Sequence, residues 1–249
     1  MSSSTLDLLT LPCAGASATM YARWRHALPG WVRLVPVELP GRGARMAEPL
    51  AEDFDLLVAQ LCRTLPRGPY ALFGHSMGAL LAHGIARRVR AQGGVLPLAL
   101  LVSGSPAPSC REPDRYAERD DDALIADLRR HGGTPEAVLE HPELLRLTLD
   151  TLAADYRVCA SFRHQSAPPL DLPIHALAGR RDDIAVAAME AWRDETSGPF
   201  ELEWFDGGHF FIRQDEGAVL DALGRSLERL RPDIGRDHPA CSPWPAVAS

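Results

Sequence analysis

Tyr70-Ala71-Leu72-Phe73-Gly74-His75-Ser76-Met77-Gly78-Ala79-Leu80-Leu81 is the stretch from which the fold is read. Its first four residues form a short apolar run, as strands buried on both faces do. Its last residues open a segment in which Leu80, Leu81, Ile85 and Val89 recur at helical spacing. Between them stands Gly74-His75-Ser76-Met77-Gly78, a G-x-S-x-G pattern that places a serine on a sharp strand-to-helix turn. Such a turn strains the backbone, and glycine on each side removes the Cβ atoms that would collide there. Strand, turn and helix in this order predict an α/β protein with Ser76 as a nucleophile.

The flanking sequence repeats the alternation. Apolar runs at Leu6–Leu11, Val32–Val37, Leu98–Ser103, Ile174–Ala178 and Leu202–Phe205 read as further strands. Amphipathic stretches at Ala18–Ala27, Asp53–Leu65, Met77–Ala91, Val186–Glu195 and Glu216–Leu230 read as helices. Strands alternating with helices imply a mostly parallel sheet covered on both faces. From Arg111 to His164 no strand is legible, only helical patterns at Asp121–Arg130, Glu136–Leu139 and Pro142–Ser161. A helical insertion of this kind covers one end of the sheet, so 111–164 is read as a lid on a single domain of residues 1–231. Residues 232–249, rich in Pro, Asp and Ser, read as a frayed tail.

A serine hydroxyl needs a base to become a nucleophile. Nine histidines compete. In an α/β protein of this type the chain order is serine, acid, histidine, each on a loop after a strand. His209, in Asp206-Gly-Gly-His-Phe-Phe, follows the last strand, and its two glycines let the loop bend over the sheet edge. His131, His141 and His164 fall in or beside the lid and His238 in the tail. The acid that orients the imidazole is Asp182 or Asp183, in Gly179-Arg-Arg-Asp-Asp after a strand, and the Gly-x-x-Asp spacing favours Asp182. An oxyanion hole needs two backbone donors. The amide of Met77 is one candidate, and that of Ala14, in Leu11-Pro-Cys-Ala-Gly-Ala-Ser, is the other. Nothing near Cys13 would depress its thiol pKa, so it reads as an apolar filler.

Composition narrows the partners. The 249 residues carry a net charge of −7, which argues against nucleic acid. No run approaches the ~20 apolar residues of a membrane span. Five cysteines without a close pair suit free thiols in a reducing compartment, so a cytoplasmic protein is expected, and the start of the chain has no secretory pattern.

These residues together resemble a family. Leu11-Pro-Cys-Ala-Gly-Ala-Ser, Val37-Glu-Leu-Pro-Gly-Arg-Gly, Gly74-His-Ser-Met-Gly-Ala, His131-Gly-Gly-Thr-Pro, Pro142-Glu-Leu and Gly198-Pro-Phe through Gly207-Gly-His-Phe-Phe are similar to the discrete type II thioesterases of polyketide and nonribosomal peptide synthesis. The likeness spans residues 6 to 231, with Cys13 and Ala16 departing from the family's usual aromatic or His and second Gly. It implies an α/β-hydrolase fold with a helical lid. It also implies hydrolysis of acyl thioesters on the phosphopantetheine arm of acyl or peptidyl carrier domains, clearing aberrant groups from the assembly line. Ser76, His209 and Asp182 would be the triad and Ala14 and Met77 the oxyanion donors. No metal or dissociable cofactor is required, no nucleic-acid or membrane partner is expected from the composition, and a monomer is one state compatible with the role. A small-ester esterase, an acyltransferase and a noncatalytic carrier-binding protein are the alternatives. For docking an acidic carrier the sequence offers Arg23, Arg25, Arg42, Arg45, Arg87, Arg88, Arg90, Arg111 and Arg115.

Overall fold

The computed structural model describes residues 5–112, 116, 119–231 and 234. Six strands, β1 (Leu6–Leu11), β2 (Val32–Pro36), β3 (Tyr70–His75), β4 (Leu100–Ser103), β5 (Ile174–Gly179) and β6 (Phe200–Phe205), form one sheet in the order β2-β1-β3-β4-β5-β6. Every pairing is parallel. This is the doubly covered parallel sheet that the apolar runs imply.

Successive strand residues point to opposite faces, and the two faces feed separate cores. Leu9, Leu11, Leu72, Leu100, Val102, Ile174 and Ala176 pack with helices α1 (Phe54–Cys62) and α2 (Met77–Ala91). Leu6, Leu8, Ala71, Phe73, Leu101 and Leu177 pack on the other face with Tyr21, Trp24 and the apolar side of α8 (Glu216–Leu230).

Several boundaries differ from the sequence expectation for local reasons. Ala18–His26 is a 3₁₀ helix. That repeat puts Tyr21 and Trp24, three residues apart, on one side, where both meet Phe73 edge-on. The stretch 186–195 divides into α6 (Val186–Glu190) and a 3₁₀ turn, with buried Trp192 donating its indole N–H to the Ser105 carbonyl at 2.8 Å. Strand β3 runs on to His75 because Gly74 and His75 still pair with Val102 and Ser103.

The 111–164 insertion contains α3 (Asp121–His131), α4 (Glu136–Leu139) and α5 (Pro142–Ser161). Leu124, Leu149 and Leu152 give it a small core of its own. The far end of α5 belongs to the main core instead, with Val158 and Cys159 buried there and the Ser161 hydroxyl accepting the Phe54 N–H at 2.8 Å. The expected tail, 232–249, lies outside the described residues, Ile234 apart.

The chain runs from β1 outward to β2 and then crosses back to β3 on β1's other side. In open α/β sheets such a reversal opens a crevice at the strands' carboxyl ends, where ligands bind. Leu11 and Gly74 are register partners across it, so the loop after β1 and the turn after β3 meet at that point.

Candidate active site

Ser76 follows β3 at φ 56°, the sole non-glycine residue with positive φ among those described. That conformation costs an L-residue of order 1–3 kcal/mol and persists where the surroundings enforce it. The Ser76 N–H donates to the Ser103 carbonyl at 2.8 Å, which extends the β3–β4 ladder up to the turn. A Cβ on Gly74 would lie 2.1 Å from the Gly78 backbone, and one on Gly78 would lie 2.1 Å from the Leu11 carbonyl oxygen. The two glycines are therefore required by close backbone approach. Met77 is the first residue of α2, and no side chain caps that end. Its N–H is one of the donors that a helix start leaves without an intrahelical partner.

His209 lies between Gly207-Gly208 and the short helix α7 (Phe211–Gln214). A Cβ on Gly179 would lie 2.6 Å from the Gly208 carbonyl oxygen, so the loops after β5 and β6 run backbone against backbone. That contact brings His209 Nδ1 to 2.9 Å from Asp182 Oδ2, with the Asp182 side chain 4% exposed. The other carboxylate oxygen, Oδ1, accepts the Asp183 N–H at 2.8 Å. A carboxylate only accepts, so the proton in this contact sits on His209 Nδ1, and Nε2 is the nitrogen left free to exchange a proton with a nucleophile. Asp183 is exposed and approaches Arg130 at 3.8 Å, and the nearby helix α6 has Ala185 as its N-cap. Of the two acids that the sequence left open, the structure brings Asp182 to the histidine.

His75 is fully buried with Nδ1 at 3.0 Å from Ser103 Oγ. Burial pushes it well below the ordinary histidine value, and the charges of His209 and Arg213 push the same way. It is a neutral ring lying 5.0 Å from that of His209.

Ala14 stands in a turn closed by Ala16 N–H donating to the Cys13 carbonyl at 3.1 Å. The turn is held from two sides. Gly15 N–H donates to Asp155 of α5 at 2.8 Å, and Arg42, from the segment after β2, donates to the Ala16 carbonyl at 3.1 Å. Arg42 and Asp155 form a two-bond fork at 2.6 and 2.7 Å, with side chains 6% and 1% exposed. Burial pushes the Cys13 thiol up to about 12, so the residue next to Ala14 is not a thiolate.

Ser76, Met77, Ala14 and His209 all line one cavity of about 300 Å³. The insertion supplies its other wall through Leu128, Val138, Leu152 and Tyr156, together with a polar corner in which Asp127 accepts from Arg119, Arg130 and the Tyr156 hydroxyl. The insertion also latches onto the histidine loop. Arg213 donates to the Gly133 carbonyl at 2.7 Å, and a Cβ on Gly133 would strike the Phe210 ring.

Sequence reasoning placed His131 in the lid and assigned it nothing. Its ring lies 4.8 Å from that of His209, and burial together with the His209 and Arg130 charges lowers it to about 4. Among the docking arginines, Arg42 needs correction. Arg42 is buried in the ion pair just described and cannot meet a carrier. Arg45 is forked onto Glu48, Arg87 pairs with Glu195, and Arg90 donates to the Pro168 and Pro169 carbonyls. Arg23 and Arg25 remain exposed, and Arg115 lies outside the described residues.

A family model described as the thioesterase domain matches residues 7–227. The chain belongs to the thioesterase family. Thioesterase PikA5 of Streptomyces venezuelae is 41% identical over 230 residues, covering 90% of this chain and 82% of that protein. The solved RedJ thioesterase from the prodiginine pathway of Streptomyces coelicolor superposes with a TM-score of 0.82 at 35% identity, covering 88% of this chain and 89% of that one. The type II thioesterase BorB from the borrelidin cluster does so with a TM-score of 0.81 at 41% identity, covering 90% and 93%. The parallel sheet with its helical insertion is thus the α/β-hydrolase fold of these thioesterases. Among the described residues no helix of this thioesterase is long and apolar enough to cross a membrane, and the four described cysteines are free thiols.

Proposed function

We propose that this chain is a type II thioesterase that hydrolyses acyl thioesters carried on the phosphopantetheine arm of acyl or peptidyl carrier domains, and so frees synthases from aberrant acyl groups. The observation that carries the reading is the partly buried Asp182–His209 hydrogen bond, with His209 lining the same cavity as a backbone-strained Ser76. Ser76 Oγ attacks the thioester carbonyl while His209 Nε2 takes its proton. Asp182 holds the imidazole's tautomer and balances the imidazolium. The Ala14 and Met77 amides receive the negative charge that develops on the carbonyl oxygen. The C–S bond then breaks and the departing sulfur takes the proton from His209. Water, deprotonated by the same nitrogen, attacks the acyl-serine; the bond from the acyl carbon to Ser76 Oγ then breaks, Oγ takes the proton back from His209, and the carboxylic acid is released. Apart from the substrate and that water, every group in these steps belongs to the chain itself.

A cavity of about 300 Å³ stands at the small end of ligand sites, which run from roughly 300 to 1,000 Å³. It suits acyl groups of a few carbons rather than a finished product, in keeping with an editing role. BorB, a type II thioesterase from the borrelidin biosynthetic cluster, and RedJ, a thioesterase from the prodiginine biosynthetic pathway, support the same assignment.

The test compares hydrolysis of one acyl group presented on a carrier domain, on free pantetheine and as an oxygen ester. Carrier and pantetheine thioesters are expected to turn over far faster than the ester, with a fluorophosphonate probe labelling Ser76 and no label on Ser76→Ala. Preference for the oxygen ester would favour an esterase, and transfer to an added alcohol or amine instead of hydrolysis would favour an acyltransferase.

A further inference from the structure

We propose that the buried Arg42 and Asp155 form a positioning device that ties the oxyanion loop to the lid, so that the Ala14 amide is in place only while helix α5 is seated. This rests on the assignment of Ala14 as an oxyanion donor made above.

The contacts form a closed chain. Gly15 N–H and Arg42 Nη1 both donate to Asp155 Oδ2, at 2.8 and 2.6 Å, and the same Nη1 donates to the Ala16 carbonyl at 3.1 Å. The peptide before Gly15 and the peptide after Ala16 are thereby both held, with Gly15 itself at φ 75°. The Ala16 N–H closes the turn onto Cys13. The Cys13 carbonyl that accepts this bond lies in the same planar peptide as the Ala14 N–H, so the held turn sets the direction of that N–H.

Asp155 comes from the insertion, not from the sheet. Thr148, Leu152, Tyr156 and Cys159 of the same helix line the cavity, and Leu152 Cδ1 lies 3.4 Å from where a Gly15 Cβ would be. Movement of α5, whether by opening or by an oversized acyl group pressing on Leu152, carries Oδ2 away from Gly15 N–H. An acyl group that fits leaves the donor aimed. One that does not fit lowers transition-state stabilisation without contacting Ser76.

Stability alone does not explain the pair. Two charges at this depth lose most of their hydration, and well-packed apolar residues often serve as well or better. What apolar residues cannot do is accept the Gly15 N–H and donate to the Ala16 carbonyl.

That difference supplies the experiment. The double variant Arg42→Met/Asp155→Leu removes both charges together, so no unpaired charge is left buried. Measured on it are the melting temperature, kcat and KM for a pantetheine thioester, affinity for an unreactive thioether analogue of that substrate, and affinity for the matching trifluoromethyl ketone. The ketone forms a tetrahedral oxyanion on Ser76, whereas the thioether does not. The expected result is a folded protein with KM and thioether affinity within about threefold of wild type, and with kcat and ketone affinity falling together by on the order of 100-fold, as when one oxyanion donor is lost. Should the double variant fail to fold, Arg42→Lys, which keeps the charge and breaks the fork, is expected to show the same split at smaller size. Ketone affinity and kcat within threefold of wild type in either folded variant would overturn the proposal, and so would an equal loss of thioether and ketone binding. Absence of a ketone adduct on wild-type Ser76 by mass spectrometry would instead remove the catalytic reading on which it rests.

Discussion

Asp182→Asn tests the acid with a magnitude set by its neighbours. Asp182 Oδ1 accepts a backbone N–H from Asp183, and Oδ2 accepts from His209. An asparagine has one acceptor and one donor to offer. If its carbonyl oxygen stays with the Asp183 N–H, its amide faces Nδ1 and forces the other histidine tautomer, with a proton on Nε2 where the lone pair is needed. If it flips, the amide donor opposes the Asp183 N–H, and losing that bond to a charged acceptor costs about 1–3 kcal/mol, roughly a 5- to 150-fold loss of the competent form. That form also lacks the charge that balances the imidazolium, worth a further ~1.5–3 kcal/mol. The product is a fall in kcat/KM on the order of 10²–10⁴, with the melting temperature changed little because the side chain keeps its shape. Asp183→Asn, at an exposed position 3.8 Å from Arg130, is expected to stay within about threefold. Thioester hydrolysis followed by thiol release measures both variants. A loss under tenfold for Asp182→Asn, or a larger loss for Asp183→Asn, would refute the argument.

Three further outcomes follow from the packing. Gly78→Ala places a Cβ 2.1 Å from the Leu11 carbonyl oxygen and is expected to cost several kcal/mol, ~3 or more, in chemical denaturation. Gly224→Ala, with open space around it in α8, should gain roughly 0.5–1 kcal/mol; the reverse order would contradict the close-approach reading. Hydrogen exchange should be faster in Asp121–Leu139 than in Tyr70–His75, while the end of α5 around Val158 and Cys159 exchanges slowly because it is part of the core; uniform protection would mean a rigid insertion. His75, His83, His131 and His175 are all lowered by burial, so the folded chain keeps them neutral while the unfolded chain takes up protons near the ordinary value of 6.5. The melting temperature should therefore be level above about pH 7 and fall below about 6.5. For His131 the loss continues to its value of about 4, and His131→Gln should soften the slope; a flat profile down to about pH 5 would count against it.

The sheet, the elbow and two triad candidates were legible because each is local. An apolar run of four to six residues marks a buried strand whatever it pairs with, and Gly74 and Gly78 announce a close approach that only glycine permits. The α2, α4, α5 and α8 boundaries were read to the residue because helical spacing and its interruption lie within the sequence itself. The choice between Asp182 and Asp183 leaned on spacing alone, since the partner that separates them, His209, arrives from 27 positions away through the contact of Gly179 with Gly208. Arg42 was misjudged for the same reason. In sequence it is one arginine of many on a polar segment, and only the arrival of Asp155 from 113 positions later makes it a buried ion. His131, likewise, gains its place beside His209 only when Arg213 and Phe210 bring the insertion onto the histidine loop. Local backbone chemistry and hydrophobic period were written in the chain. Which charges meet, and which loops they hold, was decided by tertiary packing, because charge pairing depends on distance in space and leaves no periodic mark along the sequence.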